Sequence, residues 1–310
     1  MDNERHISVL EKEVVQYICE RLPESPVILD CTLGAGGHTA AIIEQIAPLN
    51  GSVIAIDIDK ETLHETQRQL KKYSENITFV NRNFKESKQI LQELGVEKVN
   101  GIILDLGVSS MQVDNPERGF SFTESGPLDM RMGESVSVTA GDIVNFKSEE
   151  ELYTIFRDYG EERWSRRIAL RIVEARQKQP LTTTGELEEI VFRAIPAKFR
   201  RHQRIHPATR VFQALRIAAN DELGALENIL HDVPDMLHAK GRVAVISFHS
   251  LEDRIAKHVF RQQKRDGLME VITKKPLVPT DEEINKNRRA RSAKLRIAER
   301  SEPHKKEPLQ

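Results

Sequence analysis

Four short runs of β-branched and aliphatic residues mark the first hundred or so positions of this chain, and three of them stop at an aspartate. Val27 to Asp30, Val53 to Asp57, Ile77 to Val80 and Gly101 to Asp105 each read as a strand buried on both faces. Helix-length segments lie between them, His38 to Ile46, Lys60 to Tyr73 and Lys85 to Leu94. Strand, helix, strand at this spacing points to a parallel sheet wound by right-handed crossovers. Ligands of such sheets bind beyond the carboxyl ends of the strands, so Asp30, Asp57 and Asp105 stand where a ligand would.

After about Met111 the rhythm breaks. A loop punctuated by Gly and Pro, DNPERGFSFTESGPLDMRMG, leads into charged amphipathic helices at 149–158, 161–178 and 184–194. Val211 to Leu230 then reads as one helix, Gly241 to Phe248 as a strand of the earlier type, and Ala293 to Ala298 as a last strand. Two consecutive domains would leave these late strands without a sheet to join. The economical organisation is one α/β domain, residues 1–112 and 209–310, interrupted by a helical domain at 113–208. Pro276 to Asn287 reads as a disordered loop, and the tail after Arg300 as a frayed terminus.

Composition narrows the class. Charged residues make up 30% of the 310, and mean hydropathy is −0.47. No apolar run approaches the roughly 18 to 20 residues of a membrane span. The start, MDNERHISVLEKEVV, carries no apolar signal core, which predicts a cytoplasmic protein. Two cysteines, Cys19 and Cys31, build neither a disulfide framework nor a zinc site, so no metal is expected.

The loop after the first strand, Asp30-Cys-Thr-Leu-Gly-Ala-Gly-Gly-His-Thr39, has glycines for a tight turn and close ligand approach, followed by a helix N-terminus. A dinucleotide fingerprint would need glycine at position 39, which is Thr39, and no GK[ST] follows for a P-loop. Acids at successive strand ends suit a nucleoside carrying a positive group better than a pyrophosphate. Asp57 can accept both ribose hydroxyls, and Asp30 or the loop backbone can face a cationic methionine moiety. A structural turn with solvated acids is the competing reading. Asp105, at the fourth strand's end, is placed to take a hydrogen bond from the group being modified, unless it only caps the next turn.

The chain resembles the RsmH (MraW) family of S-adenosylmethionine-dependent methyltransferases acting on 16S ribosomal RNA. The resemblance runs through HISVL at 6–10, GAGGHT at 34–39, DLGVSSMQVDNPERGFSF at 105–122 and GPLDMRM at 126–132. It continues through YGEERWSRRIA at 159–169, HPATRVFQALRIAANDEL at 206–223, ISFHSLEDR at 246–254 and RRARSAKLRIAER at 288–300. It implies a Rossmann-like class I methyltransferase sheet with an inserted helical domain. Carried over by position, the cofactor contacts are Gly36, Gly37, His38, Asp57, Phe84, Asp105 and Gln112. Phe84 would cover adenine, Gln112 would bracket the methionine end with its amide, and His38 would act through its backbone N–H. The implied reaction is methylation of the exocyclic N4 amine of cytidine 1402 in the decoding centre of the small subunit.

That chemistry can be weighed against the residues. Attack at cytosine carbon-5 needs a thiolate, and neither Cys19 nor Cys31 is placed for it. An exocyclic amine needs positioning and an acceptor for its protons, for which Asp105 is the first candidate. Many amino-methyltransferases carry (D/N)PPY at this place, where this chain has DLGV. Ser247, Phe248 and His249 end the late strand as candidate substrate contacts, Phe248 by stacking and His249 by hydrogen bonding. Residues 193–210 hold six Lys/Arg and no acid, 163–178 six and one, and 285–300 seven and one. Such stripes suit phosphates, and Arg200, Arg201 and Arg204 are the candidate RNA contacts. A nicotinamide oxidoreductase and a non-catalytic RNA-binding protein are the competing functions. The missing third glycine counts against the first, and the intact Gly36, Gly37, Asp57 and Asp105 against the second.

Overall fold

The structure, a computed structural model, describes residues 8–200 and 205–302. The chain divides into two compact units, one made of 1–107 with 223–310, the other of 108–222.

The first unit is built on a seven-stranded sheet: β1 Val27–Asp30, β2 Ser52–Asp57, β3 Ile77–Asn81, β4 Val99–Asp105, β5 Leu237–Ser247, β6 Met269–Val271 and β7 Lys294–Arg300. Their order is β3-β2-β1-β4-β5-β7-β6. The first five run parallel, and β7 pairs antiparallel with both β5 and β6. This order, parallel but for β7, agrees with the Rossmann-like sheet that the resemblance implies. Strand order reverses between β1 and β4, which makes the crevice beyond Asp30 and Asp105 the switch point where such sheets bind ligands.

Among the described residues seven α-helices belong to this unit and seven to the other. In chain order they are α1 Glu11–Cys19, α2 Gly37–Ile46, α3 Lys60–Gln69 and α4 Ser87–Glu93, then α5 Ser110–Asp114, α6 Ala140–Phe146 and α7 Glu149–Asp158. These are followed by α8 Ser165–Arg176, α9 Thr184–Ala194, α10 Ala197–Arg200, α11 Thr209–Asn220, α12 Glu222–Met236, α13 Ser250–Arg265 and α14 Asp281–Lys286. Alternation along the strands sends successive side chains to opposite faces. Leu29, Ile54, Ile56, Ile102, Leu104 and Val243 pack under α4, α12 and α13. Ile28, Val53, Ala55, Ile103, Ala244 and Ile297 pack under α1, α2 and α3. Both faces are therefore dry, which is why the strands read as continuous apolar runs.

The second unit has its own core, in which Ile143, Phe156, Ile168, Ile172, Leu187, Val191, Val211 and Leu215 meet from α6, α7, α8, α9 and α11. Here the expected boundaries need correction. The division falls after residues 107 and 222, because α11 buries Val211, Phe212 and Leu215 in the helical core rather than against the sheet. The single helix expected from Val211 to Leu230 is two helices, broken at Asp221, whose backbone is left-handed at φ 51°. Pro276 to Asn287 is ordered: Leu277 bridges to Leu295, and α14 is capped by Thr280, whose Oγ accepts from the Glu283 N–H at 3.2 Å. Glu283 in turn accepts the Leu10 N–H at 2.7 Å. The edge strand β6 escapes sequence reading because three residues carry no period. Among the described residues no helix is long and apolar enough to cross a membrane.

Candidate active site

The loop from β1 to α2 is tied from both ends. Asp30 is 1% exposed; its Oδ2 accepts from Thr39 Oγ at 2.6 Å and its Oδ1 from the Thr32 N–H at 3.1 Å. Burial pushes this carboxyl up from its ordinary value, with the Thr39 hydroxyl opposing. Of the two expected to face a cationic ligand, Asp30 or the loop backbone, the Asp30 carboxylate is spent on pinning the loop to the first turn of α2, which leaves the backbone. Between these anchors Gly34 and Gly36 take left-handed backbones, φ +50° and +75°. A Cβ on Gly36 would lie 2.5 Å from Thr66 Cγ2 and 3.0 Å from Leu70 Cδ1, so α3 leaves no room for one. Thr66 Oγ also donates to the Gly34 carbonyl at 2.6 Å. Gly37 opens α2, aiming the helix N-terminus along the loop.

Asp57 joins the tip of β2 to the same loop. Its Oδ2 accepts the Gly34 N–H and its Oδ1 the Asp59 N–H, both at 2.8 Å, leaving each oxygen a second lone pair. Partial burial pushes the carboxyl up to about 7 despite those two bonds. Phe84, in the turn after β3, is half-buried against the core with one side toward solvent. Asn81 Nδ2 fixes the neighbouring β2 tip through the Asp57 and Ile58 carbonyls at 2.9 and 3.1 Å.

Asp105 ends β4 beside Asp30. Its N–H donates to Thr32 Oγ at 2.6 Å, and its Oδ2 lies 3.5 Å from His38 Nε2, an ion-pair distance too long for a good hydrogen bond. Asp105 Oδ1 and both His38 ring nitrogens are buried with no hydrogen-bond partner among the described residues. Burial works against a charged His38, but the Asp105 and Asp30 carboxylates outweigh it and hold the imidazole above its ordinary value. His38 was expected to matter through its backbone; its side chain, 5% exposed and facing Asp105, is the larger feature.

Beyond β5, Ser247 is 2% exposed and donates to the Lys294 carbonyl at 3.3 Å, so it is a strand-pairing residue and not the substrate contact expected. Phe248 is half-buried, its ring 3.7 Å from where a Cβ on Gly107 would stand. His249 Nε2 lies 3.1 Å from Glu252 Oε1, while Glu252 Oε2 accepts the Phe248 N–H at 2.8 Å. That contact is an ion-pair distance without hydrogen-bond geometry, and among the described residues both buried His249 ring nitrogens have no hydrogen-bond partner. Glu252 was missed, although Glu three residues into a helix is a capping signal legible in HSLE. Thr32 and Thr39 were missed for want of any such signal.

Within the second unit Gln112 is buried, and its side-chain oxygen accepts the Ser109 N–H at 3.0 Å in a capping box. The amide oxygen is thus engaged in its own turn, while Nε2 faces the Met132 carbonyl at 3.5 Å. Arg200 Nε donates to the Ile195 carbonyl at 2.8 Å, and Arg201 and Arg204 lie outside the described residues.

The model of the MraW methylase family matches residues 3–301. The ribosomal RNA small subunit methyltransferase H of Pseudothermotoga lettingae is 50% identical over 299 residues, covering 95% of this chain and 98% of that one. The protein of the same name from Halothermothrix orenii is 47% identical over 310 residues, covering 95% and 98%. Among solved structures, an rRNA methylase from Streptococcus thermophilus aligns over 96% of this chain and 99% of its own, at 12% identity and a TM-score of 0.46. This chain belongs to the MraW methylase family, and its methyl donor is S-adenosylmethionine.

Proposed function

We propose that this chain, an S-adenosylmethionine-dependent rRNA methyltransferase by its family, methylates the exocyclic N4 amine of a cytidine in 16S rRNA, by resemblance cytidine 1402 of the decoding centre. The observation that carries the reading is the buried, unpartnered Asp105 Oδ1 at the sheet's switch point. A native fold seldom leaves such an atom unpaired unless a ligand completes it. The residues fit the donor: Asp57 has a lone pair on each oxygen for the two ribose hydroxyls, and the Gly34–Gly37 backbone can approach closely. The exposed side of Phe84 can cover adenine.

When bound, the donor supplies a methyl group on a sulfonium, electrophilic enough to need no covalent enzyme intermediate. The chain's part is to hold the acceptor. Asp105 Oδ1 accepts a hydrogen bond from the amine, orienting the nitrogen and stabilising the positive charge that grows on it. His38 Nε2 lies 3.5 Å from the other carboxylate oxygen, Asp105 Oδ2, and attracts its charge. Carbon-5 chemistry lacks its nucleophile: Cys31 is buried, its thiol is pushed far up by burial, and it lies 3.7 Å from Ser87 Oγ. The Cys19 thiol, in α1, is pushed up to about 11. Phe248, half-buried at the end of β5, is the ring we assign to stack on an extruded base.

The test is mass mapping of 16S rRNA from a strain lacking this protein, with rescue by wild type and by Asp105→Ala. Wild type alone should restore a single methylated cytidine. Full rescue by the variant would remove Asp105 from its role, and a methyl on carbon-5 would overturn the chemistry.

A further inference from the structure

The arginines of the second unit fall into two populations. Arg157, Arg171 and Arg193 lie against Asp158, Glu174 and Glu189, the first two at 2.6 and 2.5 Å. Arg163, Arg200 and Arg210 meet no carboxylate among the described residues; instead they lie over rings or on carbonyls. The Arg163 guanidinium sits 5.6 Å from the centre of the Trp164 ring and 5.5 Å from that of Phe199. Those two rings are themselves 5.2 Å apart. Arg200 lies 4.5 Å over Phe192, on whose ring His206 stacks at 5.9 Å and 13°. Arg210 donates to the Glu161 carbonyl at 3.2 Å, and Glu188 is held by His206 at 3.3 Å. Phe192 and Phe199 are each 37% exposed.

A face shaped for solubility alone would pair its cations and cover its rings. This one does neither. Half-exposed π faces braced by guanidinium groups offer flat platforms to bases, and the unpaired positive charge attracts phosphates. Duplex RNA hides its base faces, and an acidic protein surface would have no use for the rings. We infer that Arg163, Trp164, Phe192, Phe199 and Arg200 form a stacking platform for an unpaired strand of the RNA substrate, with Arg210 on its backbone. The inference rests on the reading of the chain as an rRNA methyltransferase and names where that substrate is gripped.

The experiment uses the full chain, a labelled single-stranded pyrimidine-rich RNA and a duplex of equal length, titrated across salt, together with methyl-transfer kinetics on 30S subunits. Arg163→Ala combined with Arg200→Ala should weaken single-strand binding about tenfold or more and reduce the salt slope by roughly 0.7 per arginine. Phe199→Ala should cost about fivefold or more with the slope unchanged. Arg171→Ala and Arg193→Ala should stay within about twofold, their charges being already neutralised. On subunits the platform variants should raise KM and leave kcat within about twofold. Unchanged single-strand affinity in the double variant would overturn the inference. So would an equal loss on the duplex, which needs phosphates alone, or a raised KM on assembled subunits with normal RNA affinity, which would indicate a protein contact. RNA binding through this face in an enzyme that methylates no rRNA would overturn the proposed function and leave the platform standing.

Discussion

The acids at the tips of β1, β2 and β4 and the arginines around Phe199 are the two concentrations of charge that matter, and they are built in opposite ways. Around the sheet tips the acids are tied into the chain, Asp105 Oδ1 apart: Asp30 to Thr39 and Thr32, Asp57 to Gly34 and Asp59, and the Asp105 N–H to Thr32. Around Phe199 the cations are left open and the rings half-exposed. A small cofactor and one reacting amine demand preorganised partners, since a displacement of an ångström is costly in rate. A flexible strand can be gripped by charges and flat surfaces that adjust to it. The comparison predicts that substitutions at the tips act on chemistry and folding, whereas those on the arginine face act on affinity.

The largest effect is expected at Asp105. Asp105→Asn keeps the shape but weakens the acceptor, and kcat for methyl transfer should fall about 100- to 1000-fold with a much smaller change in S-adenosylmethionine affinity. Single-turnover rates and a cofactor titration separate the two. A loss confined to cofactor binding would place Asp105 among the binding residues only and blur the contrast between the two regions.

Next in size is Thr39→Val. It removes the hydroxyl that donates to a carboxylate 1% exposed, leaving Asp30 Oδ2 buried and unpaired. A destabilisation of about 2 kcal/mol is expected from urea unfolding. Arg163→Ala, on the open face, should change stability by no more than about 0.5 kcal/mol. Equal costs at the two sites would break the comparison.

How much of this was legible follows the same division. The strand tips could be read because three of the four apolar runs end in an aspartate, and GAGG has few uses other than a tight turn before a helix. What Asp30 does could not be read: its partner Thr39 is nine positions on, and only the closed loop makes a 2.6 Å bond of that separation. His38 reads as an ordinary helix-opening residue until β4 brings Asp105 beside it. Ser247 looks like its neighbours His249 and Phe248 in sequence, yet pairing with β7 turns it into the sheet. On the helical unit the charge runs were visible but their pairing was not. Arg193 and Arg200 belong to one unbroken basic stretch, and only the fold shows that Glu189 on α9 neutralises the first while Phe192 carries the second. The break at Asp221 was marked only by the pair Asn220-Asp221, residues favoured at helix ends, within an otherwise helix-favouring run.

Asp57 gives a pH-dependent version of the contrast. Its folded carboxyl titrates near 7, against 3.8 for the free side chain. Between those values the folded chain holds a proton that the unfolded chain has released, so this group's contribution to stability is fully present below about pH 4 and is lost as pH rises toward 7. Asp30 and His38, also raised, act in the same direction. Cofactor binding runs the other way, because the ionised carboxylate is the better acceptor for ribose hydroxyls. S-adenosylmethionine affinity should therefore rise several-fold from pH 6 to pH 8, and Asp57→Asn should bind weakly with a flat profile. Calorimetric titration across that range decides it; a wild-type affinity independent of pH would show that the ribose is held elsewhere.

The smallest effect is the most discriminating. Arg193→Gln removes a charge from the same basic stretch as Arg200→Gln, and by composition the two are equivalent. Arg193, however, is one helical turn from Glu189 and exposed, a pair worth about 0.3–0.5 kcal/mol. Its charge is already balanced locally, so releasing it should change neither the number of counterions displaced by RNA nor the affinity by more than about twofold. Arg200→Gln takes away both an unbalanced charge and the plate over Phe192, and should move affinity and salt slope together. If the two variants behaved alike in salt titrations, net charge along the stretch would be all that RNA senses, and the distinction between paired and open arginines would carry no functional meaning.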